Sequence, residues 1–278
     1  MNTDGMICPL CGGPLLQIGT ALRCPGGHSF DLAKEGYAHL LPVQKKRTKD
    51  PGDSREMVDA RARFLQAGHY GAFAAKLADL CCAAARAQEK PLHILDMGCG
   101  EGYYSRAVAQ RLADEGYAFE LIGMDISKAA VRRAAKLAPA GCSYAVASSF
   151  AAPVAAGWAD VVLNVFAPFA REEFLRVLRT GGQLIYAVPG PLHLFGLKEV
   201  LYEIPYKNPV QQVEYPGFAP AGEADVDGQI YVEGEAVQDL FAMTPYFWKT
   251  PREGAQRLAE CSSVETTIQF RFLQFTKE

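Results

Sequence analysis

The sequence predicts an α/β protein built on a mostly parallel sheet, preceded by a small metal-binding module. Three observations carry this expectation. Apolar runs alternate with helix-compatible stretches over residues 92–189, the pattern of parallel strands covered on both faces. The first of these runs, Leu92-His93-Ile94-Leu95-Asp96-Met97, stops in the turn Gly98-Cys99-Gly100-Glu101-Gly102. Ahead of them, Cys8-Pro9-Leu10-Cys11 and Cys24-Pro25-Gly26-Gly27-His28 are separated by twelve residues.

Bulk composition narrows the class. The 278 residues are 49% hydrophobic and 21% charged, which suits one large or two modest globular domains and excludes a disordered or fibrous chain. No apolar run approaches the ~18 residues that a membrane span needs. The start, Met1-Asn2-Thr3-Asp4-Gly5, lacks the pattern of a signal peptide, so a cytoplasmic location is expected. There, eight cysteines are better suited to metal binding or burial than to a disulfide framework. A net charge of −3 argues against a protein that coats nucleic acid, although residues 1–69 hold nine Lys/Arg against seven Asp/Glu.

Taken in order, the two Cys/His pairs read first as a closed tetrahedral zinc site of Cys8, Cys11, Cys24 and His28. With four protein ligands no position remains for water, so the metal is structural. Residues 17–22 suit a hairpin, and His39 falls in an apolar stretch as a packing residue. Lys45, Lys46, Arg47 and Lys49 then crowd ahead of a Pro-Gly turn. Such a loop contacts phosphates or is a solvated surface, and the adjacent knuckle favours RNA. Ser54 can cap a helix. A second, alanine-rich helix is expected over 72–88, with Cys81 and Cys82 as small core residues.

Strands are then expected at 92–97, 120–125, 143–149, 158–166 and 183–189, with helices between them. Residues 192–204 read as a further helix, 208–229 as an acidic loop and 266–275 as a last strand. The aromatic cluster at 243–248 can cover a planar base by stacking, but core or lid packing suits it better. Ligands of parallel sheets bind at the carboxyl ends of strands, where Asp96, Asp125, Ser148, Asn164 and Pro189-Gly190 fall.

The glycine turn has the spacing G-x-G-x-G, not the G-x-G-x-x-G of a dinucleotide site. Asp96 precedes it, where a cationic ligand group would arrive, and Gly98 and Gly100 let a ligand approach the backbone. Asp125 ends the next strand and is placed to accept the hydroxyls of a ribose. The pattern resembles the S-adenosylmethionine (SAM) site of Rossmann-like methyltransferases. The expected organisation is a zinc-binding RNA-recognition domain over 1–50, a helical bridge over 51–90 and a methyltransferase domain over 91–278.

A wider resemblance covers nearly the whole chain. It rests on the zinc knuckle, Asp31-Leu32-Ala33-Lys34-Glu35-Gly36-Tyr37, Leu41-Pro42-Val43-Gln44, Asp50-Pro51-Gly52-Asp53-Ser54, Ala67-Gly68-His69-Tyr70, the glycine turn and Met243-Thr244-Pro245, in that order. Together they resemble the bacterial 23S rRNA (guanine-N1)-methyltransferases. The resemblance implies one structural Zn²⁺ on the four ligands named above. It also implies SAM contacts at Tyr70, Gly100, Glu101 and His193, and methylation of a guanine in a hairpin of domain II. One branch of that family carries resistance to tylosin-like macrolides. Asn164 is a candidate for orienting the base edge, with Phe166 and Pro168 shaping its pocket, and His193 for bearing on the N1 proton. A homodimer is left open. Two other readings are a non-catalytic zinc RNA-binding protein with a vestigial SAM fold, and a small-molecule SAM methyltransferase.

Overall fold

The computed structural model describes residues 1–45, 51–210 and 214–278. Strands β1 (Leu16–Ile18), β2 (Ala21–Arg23) and β3 (Ser29–Asp31) form a small antiparallel sheet in that order. Gly19 and Thr20 make the two-residue hairpin tip between β1 and β2, and Gly19 takes the positive φ of 62° that such a turn needs. The chain continues through β4 (Ala38–His39), α1 (Arg55–Gln66) and α2 (Gly71–Arg86). Ser54 caps α1, its Oγ accepting from Met57 N–H at 3.3 Å. Cys81 and Cys82 are buried in α2 as expected.

The larger body alternates β5 (Leu92–Met97), α3 (Tyr103–Asp114), β6 (Phe119–Asp125), α4 (Lys128–Lys136), β7 (Cys142–Val146), β8 (Ala159–Val165), α5 (Arg171–Val177) and β9 (Leu178–Pro189). It closes with α6 (Phe195–Leu201), β10 (Phe218–Glu233), α7 (Glu235–Ala242), α8 (Arg252–Glu260) and β11 (Ser263–Lys277). One eight-stranded sheet runs in the order β10-β11-β9-β8-β5-β6-β7-β4. β4 to β9 within it pair in parallel, and β11 is antiparallel to both β9 and β10. The strand order reverses at β5, whose neighbours are β6 and β8. Such a reversal opens a crevice at the carboxyl ends of the strands.

Two local readings are corrected. Residues 208–229, read as an acidic loop, contain most of β10. Its outward positions are Glu223, Asp225, Asp227 and Gln229, while Ala224, Val226 and Ile230 pack on the core. An edge strand with one wet face can be this polar. The helix expected over 192–204 is confined to α6. Thr180-Gly181-Gly182 forms an irregularity inside β9, where pairing with β8 jumps from Leu178 to Gln183.

Each face of the sheet has its own core. On one face Phe73, Leu77, Leu163, Ile185, Leu197, Phe270 and Phe272 pack together under α2 and α6. On the other, Leu95, Met97, Val162 and Leu184 pack with Phe174 of α5 and with Met6, Leu15 and Leu22 of the N-terminal module. β4 pairs in parallel with β7, so the module also supplies the sheet's last strand. No described helix is long and apolar enough to cross a membrane.

Candidate functional site

A cleft of about 790 Å³ opens at the carboxyl ends of β5, β6 and β8, within the size range of small-molecule sites. The glycine turn lines it with Gly98, Cys99, Gly100 and Glu101, joined by Asp125, Ser148, Tyr70 and His193. Seven of the eight cofactor positions expected from the sequence therefore meet in one place. Gly98 has φ +97°, and a Cβ there would strike Ala167 Cβ at 2.5 Å. A Cβ on Gly100, at φ +55°, would meet nothing within 4 Å. Glycine at the first position permits close packing, and at the second it leaves bare backbone for a ligand.

Asp96, the eighth, is buried beneath the turn and does not line the cleft. Its Oδ2 accepts from Ser105 Oγ at 2.5 Å, while its Oδ1 has no hydrogen-bond partner among the described residues. Burial pushes this carboxyl up to about 7 despite the Ser105 bond, and the Asp125 charge adds to the rise. Glu101 is also buried. One of its oxygens accepts from Arg106 at 3.1 Å, and Oε1 has no partner among the described residues. Unsatisfied carboxylate oxygens around a glycine turn suit a ligand that carries positive charge, as SAM does at its sulfonium and ammonium groups. Asp125 accepts from Gly100 N–H at 3.0 Å and from Ser127 N–H at 2.7 Å, one bond to each oxygen. That fixes the carboxylate and leaves lone pairs for ribose hydroxyls.

His193 is held by two bonds of opposite sense. Its Nδ1 accepts from Gln269 N–H at 3.3 Å, so the neutral ring carries its proton on Nε2, which faces Tyr70 Oη at 3.4 Å. Burial, and secondly the Lys198 ammonium, lower its pKa to about 3. With its lone pair engaged, the ring is a donor and is not free to take a proton. Asn164 does not reach the cleft. It is fully buried and donates from Nδ2 to Pro168 O at 3.2 Å, bracing the Phe166–Pro168 loop from behind.

The cleft also uses Phe166, expected to shape a pocket, and Arg61 and Asn208, which sequence reasoning passed over. Phe166 has φ +53°, a conformation rare outside glycine, and it remains 44% exposed while stacking on Phe73 and His193. Backbone strain of this kind concentrates at functional sites and leaves no mark in a sequence. Arg61 of α1 pairs with Asp53 and donates to Met243 O at 3.1 Å, tying α1 to the far rim. Met243, Thr244, Pro245 and Tyr246 line that rim, so the aromatic cluster serves as a lid edge more than as core. Asn208 lines the wall beside His193. An Asn-Pro dipeptide at 208–209 marks a turn and is the signal that could have found it.

The second site lies in the N-terminal module. The ligand atoms of Cys8, Cys11, Cys24 and His28 all lie within 4.8 Å of one another. Cys11 Sγ and Cys24 Sγ are 3.6 Å apart, and His28 Nδ1 is 3.5 and 3.4 Å from the sulfurs of Cys8 and Cys24. A tetrahedron with Zn–S near 2.3 Å and Zn–N near 2.0 Å has edges of about 3.8 and 3.5 Å. The four side chains thus fit one structural Zn²⁺. Of the basic loop, the 3₁₀ turn Val43–Lys45 is described up to its last backbone position; Lys46, Arg47 and Lys49 lie outside the described residues.

Comparison with known proteins matches both modules. The zinc-ribbon family model "RlmA, N-terminal" matches residues 6–49, and a methyltransferase-domain model matches residues 94–182. The 23S rRNA (guanine(748)-N(1))-methyltransferase of Streptomyces fradiae is 34% identical, over 95% of this chain and 94% of that protein. A Micromonospora griseorubida protein, provisionally named a 23S rRNA (guanine-N1)-methyltransferase, is 36% identical over 93% and 92%. One from Bacillus subtilis (strain 168), named as provisionally, is 30% identical over 94% and 93%. With both modules matched and the identity running almost from end to end, the chain belongs to the 23S rRNA (guanine-N1)-methyltransferase family.

Proposed function

We propose that the protein methylates N1 of a guanine in 23S rRNA, in a hairpin of domain II. The observation that carries the reading is the two-sided cleft. One side has the glycine turn, Glu101 with its orphaned oxygen and Asp125; the other has Phe166, Pro168, Tyr186 and Tyr246. SAM fits the first side and a planar base the second.

In this reading Asp125 holds the ribose hydroxyls, Gly98 and Gly100 admit the cofactor to the backbone, and Tyr70, Glu101, Ser148 and His193 enclose it. Asp96 acts from below the turn. Bound SAM supplies a methyl group on a positively charged sulfur. Transfer would give N1 this electrophilic methyl, the C–S electron pair staying with sulfur and the N1 proton being released to water. The protein's part is to align the atoms and exclude bulk water. Since the lone pair of His193 is engaged, the ring orients and does not accept that proton. Asn164 acts through the Phe166–Pro168 loop it braces.

We assign residues 1–50 to RNA recognition around the zinc held by Cys8, Cys11, Cys24 and His28. Residues 51–90 form a helical bridge, and residues 91–278 carry the transfer. Lys45, Lys46, Arg47 and Lys49 are the proposed phosphate contacts. A guanine stacked in a hairpin must leave the stack to reach the cleft, which favours a loop nucleotide.

The test is methyl transfer from labelled SAM to protein-free 23S rRNA, followed by primer extension. An N1 methyl blocks the pairing edge, so extension should stop before one guanine. Labelling of small molecules without labelling of rRNA would point to a small-molecule enzyme. SAM binding with no transfer would point to an RNA-binding protein with an idle cofactor site.

A further inference from the structure

Behind the wall of the cleft lies a lysine with no carboxylate. Lys198, on α6, has no exposed surface, yet no ion pair to it is found among the described residues. Its Nζ donates to Tyr206 O at 3.0 Å and to Asn208 Oδ1 at 2.6 Å. It also stands over the rings of Tyr206 and Tyr246, at 4.3 and 5.3 Å from their centroids. A buried ammonium is costly to keep without an opposite charge. Here it is solvated by one carbonyl, one amide oxygen and two aromatic faces.

Its neighbours reinforce the excess of positive charge. The titratable groups around it are His193, Tyr202, Tyr206 and Tyr246. On α8, Arg257 donates to the carbonyls of Val200 and Leu201 at the end of α6. The nearby acids Glu199 and Glu203 are exposed. Among the described residues no acid pairs with Lys198.

The network reaches the cleft through Asn208. With its oxygen taken by Lys198, the Asn208 amide nitrogen donates to Gly190 O at 2.9 Å and His193 O at 3.1 Å. Tyr246 Oη is 3.5 Å from the same Asn208 oxygen. Lys198 thereby fixes three parts of one wall: the Gly190–His193 turn, the Asn208–Val210 strand of chain and the Tyr246 rim.

We propose that Lys198 is a positioning residue for the transfer, whose carboxylate-free ammonium locks this wall and sets a positive field in the cleft that favours loss of the guanine N1 proton. The proposal rests on the guanine-N1 reading above. When the N1–H bond breaks, its proton goes to water and the electron pair stays on the base, spread over N1 and O6. A fixed cation lowers the energy of that anion, and a preorganised one does so without reorganisation during the reaction.

The test is the pH dependence of single-turnover methylation with rRNA and SAM both saturating. Lys198→Met keeps the length of the side chain and removes its charge. Its rate should fall about ten- to a hundred-fold at neutral pH. Its rate profile should move to higher pH by on the order of one unit, the size of a nearby-charge effect. Lys198→Arg should keep the position of the profile. Both substrates are held saturating because Lys198 braces the turn that carries His193, so a change in SAM affinity, read by calorimetry, does not enter the rate. If Lys198→Met does not fold, Asn208→Asp sets a carboxylate against the ammonium and should shift the profile in the same direction. A uniform loss of rate with no shift would overturn the field, leaving a merely structural lysine. A wild-type rate in Lys198→Met would overturn the whole proposal. A wild-type protein that does not methylate rRNA would instead remove the reading beneath it, and the control reaction shows which has failed.

Discussion

Asp96 shows how much of the site's chemistry is decided by burial of single groups. Its carboxyl is pushed up to about 7 from an ordinary value near 3.8, so the native state holds the proton more tightly than the unfolded chain does. For a group raised on folding, the stability it contributes is complete below pH ~3.8 and is lost as pH rises towards 7. By linkage the loss is on the order of 4 kcal/mol. Asp96→Asn cannot ionise and should lack this slope. Denaturation midpoints of ligand-free wild type and variant at pH 4.5, 6 and 7.5 should diverge progressively, the wild type falling behind. Parallel curves would mean that the carboxylate already has a partner. The sequence marked Asp96 through its place before the glycines, but it could not show that Ser105 satisfies one oxygen and nothing satisfies the other. Lys198 was not singled out in the sequence, although a signal was there. It sits with Leu194, Leu197 and Leu201 at helical spacing, a cation on a face that otherwise packs inward. Phe166 was named from the sequence as a pocket wall, but its strained backbone was not legible, because φ is a property of the fold around a residue.

At the scale of elements, legibility followed the strength of the local signal. The parallel strands β5 to β9 were found because each is an apolar run bounded by glycine or proline, and β8 is buried along its whole length; the two-residue β4, read as packing around His39, was not. β10 was missed because half its positions are acidic or small and its partner, β11, lies some forty residues further on. Long-range antiparallel pairing leaves no local trace when one face is wet. The zinc module lies at the other extreme. Its hairpins are too small to bury a core unaided, and the Cys/His spacing alone announces how they are held. Cys11→Ser should therefore lose the metal, since three remaining ligands no longer close the tetrahedron. Metal analysis of anaerobically purified protein should fall from about one zinc per chain to well below one. A full equivalent retained by the variant would mean that the fourth ligand is another group.

Across the whole molecule, the metal module and the sheet are built into each other. Met6, Leu15 and Leu22 share a core with Leu95, Met97 and Val162, and β4 extends the sheet past β7. Ile7 N–H also bonds Pro153 O at 2.9 Å, and the Trp158 indole donates to Asp4 at 2.8 Å. The sequence showed two modules by two kinds of signal, zinc spacing and strand-helix alternation. It could not show a shared core, because contacts between distant segments are specified by shape and not by any motif. The consequence concerns stability. If zinc is removed, the hairpins that present Met6, Leu15 and Leu22 lose their clasp. Uncovering even two of these side chains costs about 3–6 kcal/mol. In a chain of this size each kcal/mol lowers the melting temperature by about 2–4 °C. Chelation should therefore shift one cooperative transition down by roughly 6 °C or more. SAM binding well below that transition should persist, because the cleft lies at the carboxyl ends of β5, β6 and β8, away from the metal ligands. Calorimetric scans with and without a zinc chelator decide the matter. An unchanged main transition with a separate small one at lower temperature would show that the module melts alone and that the shared core contributes little.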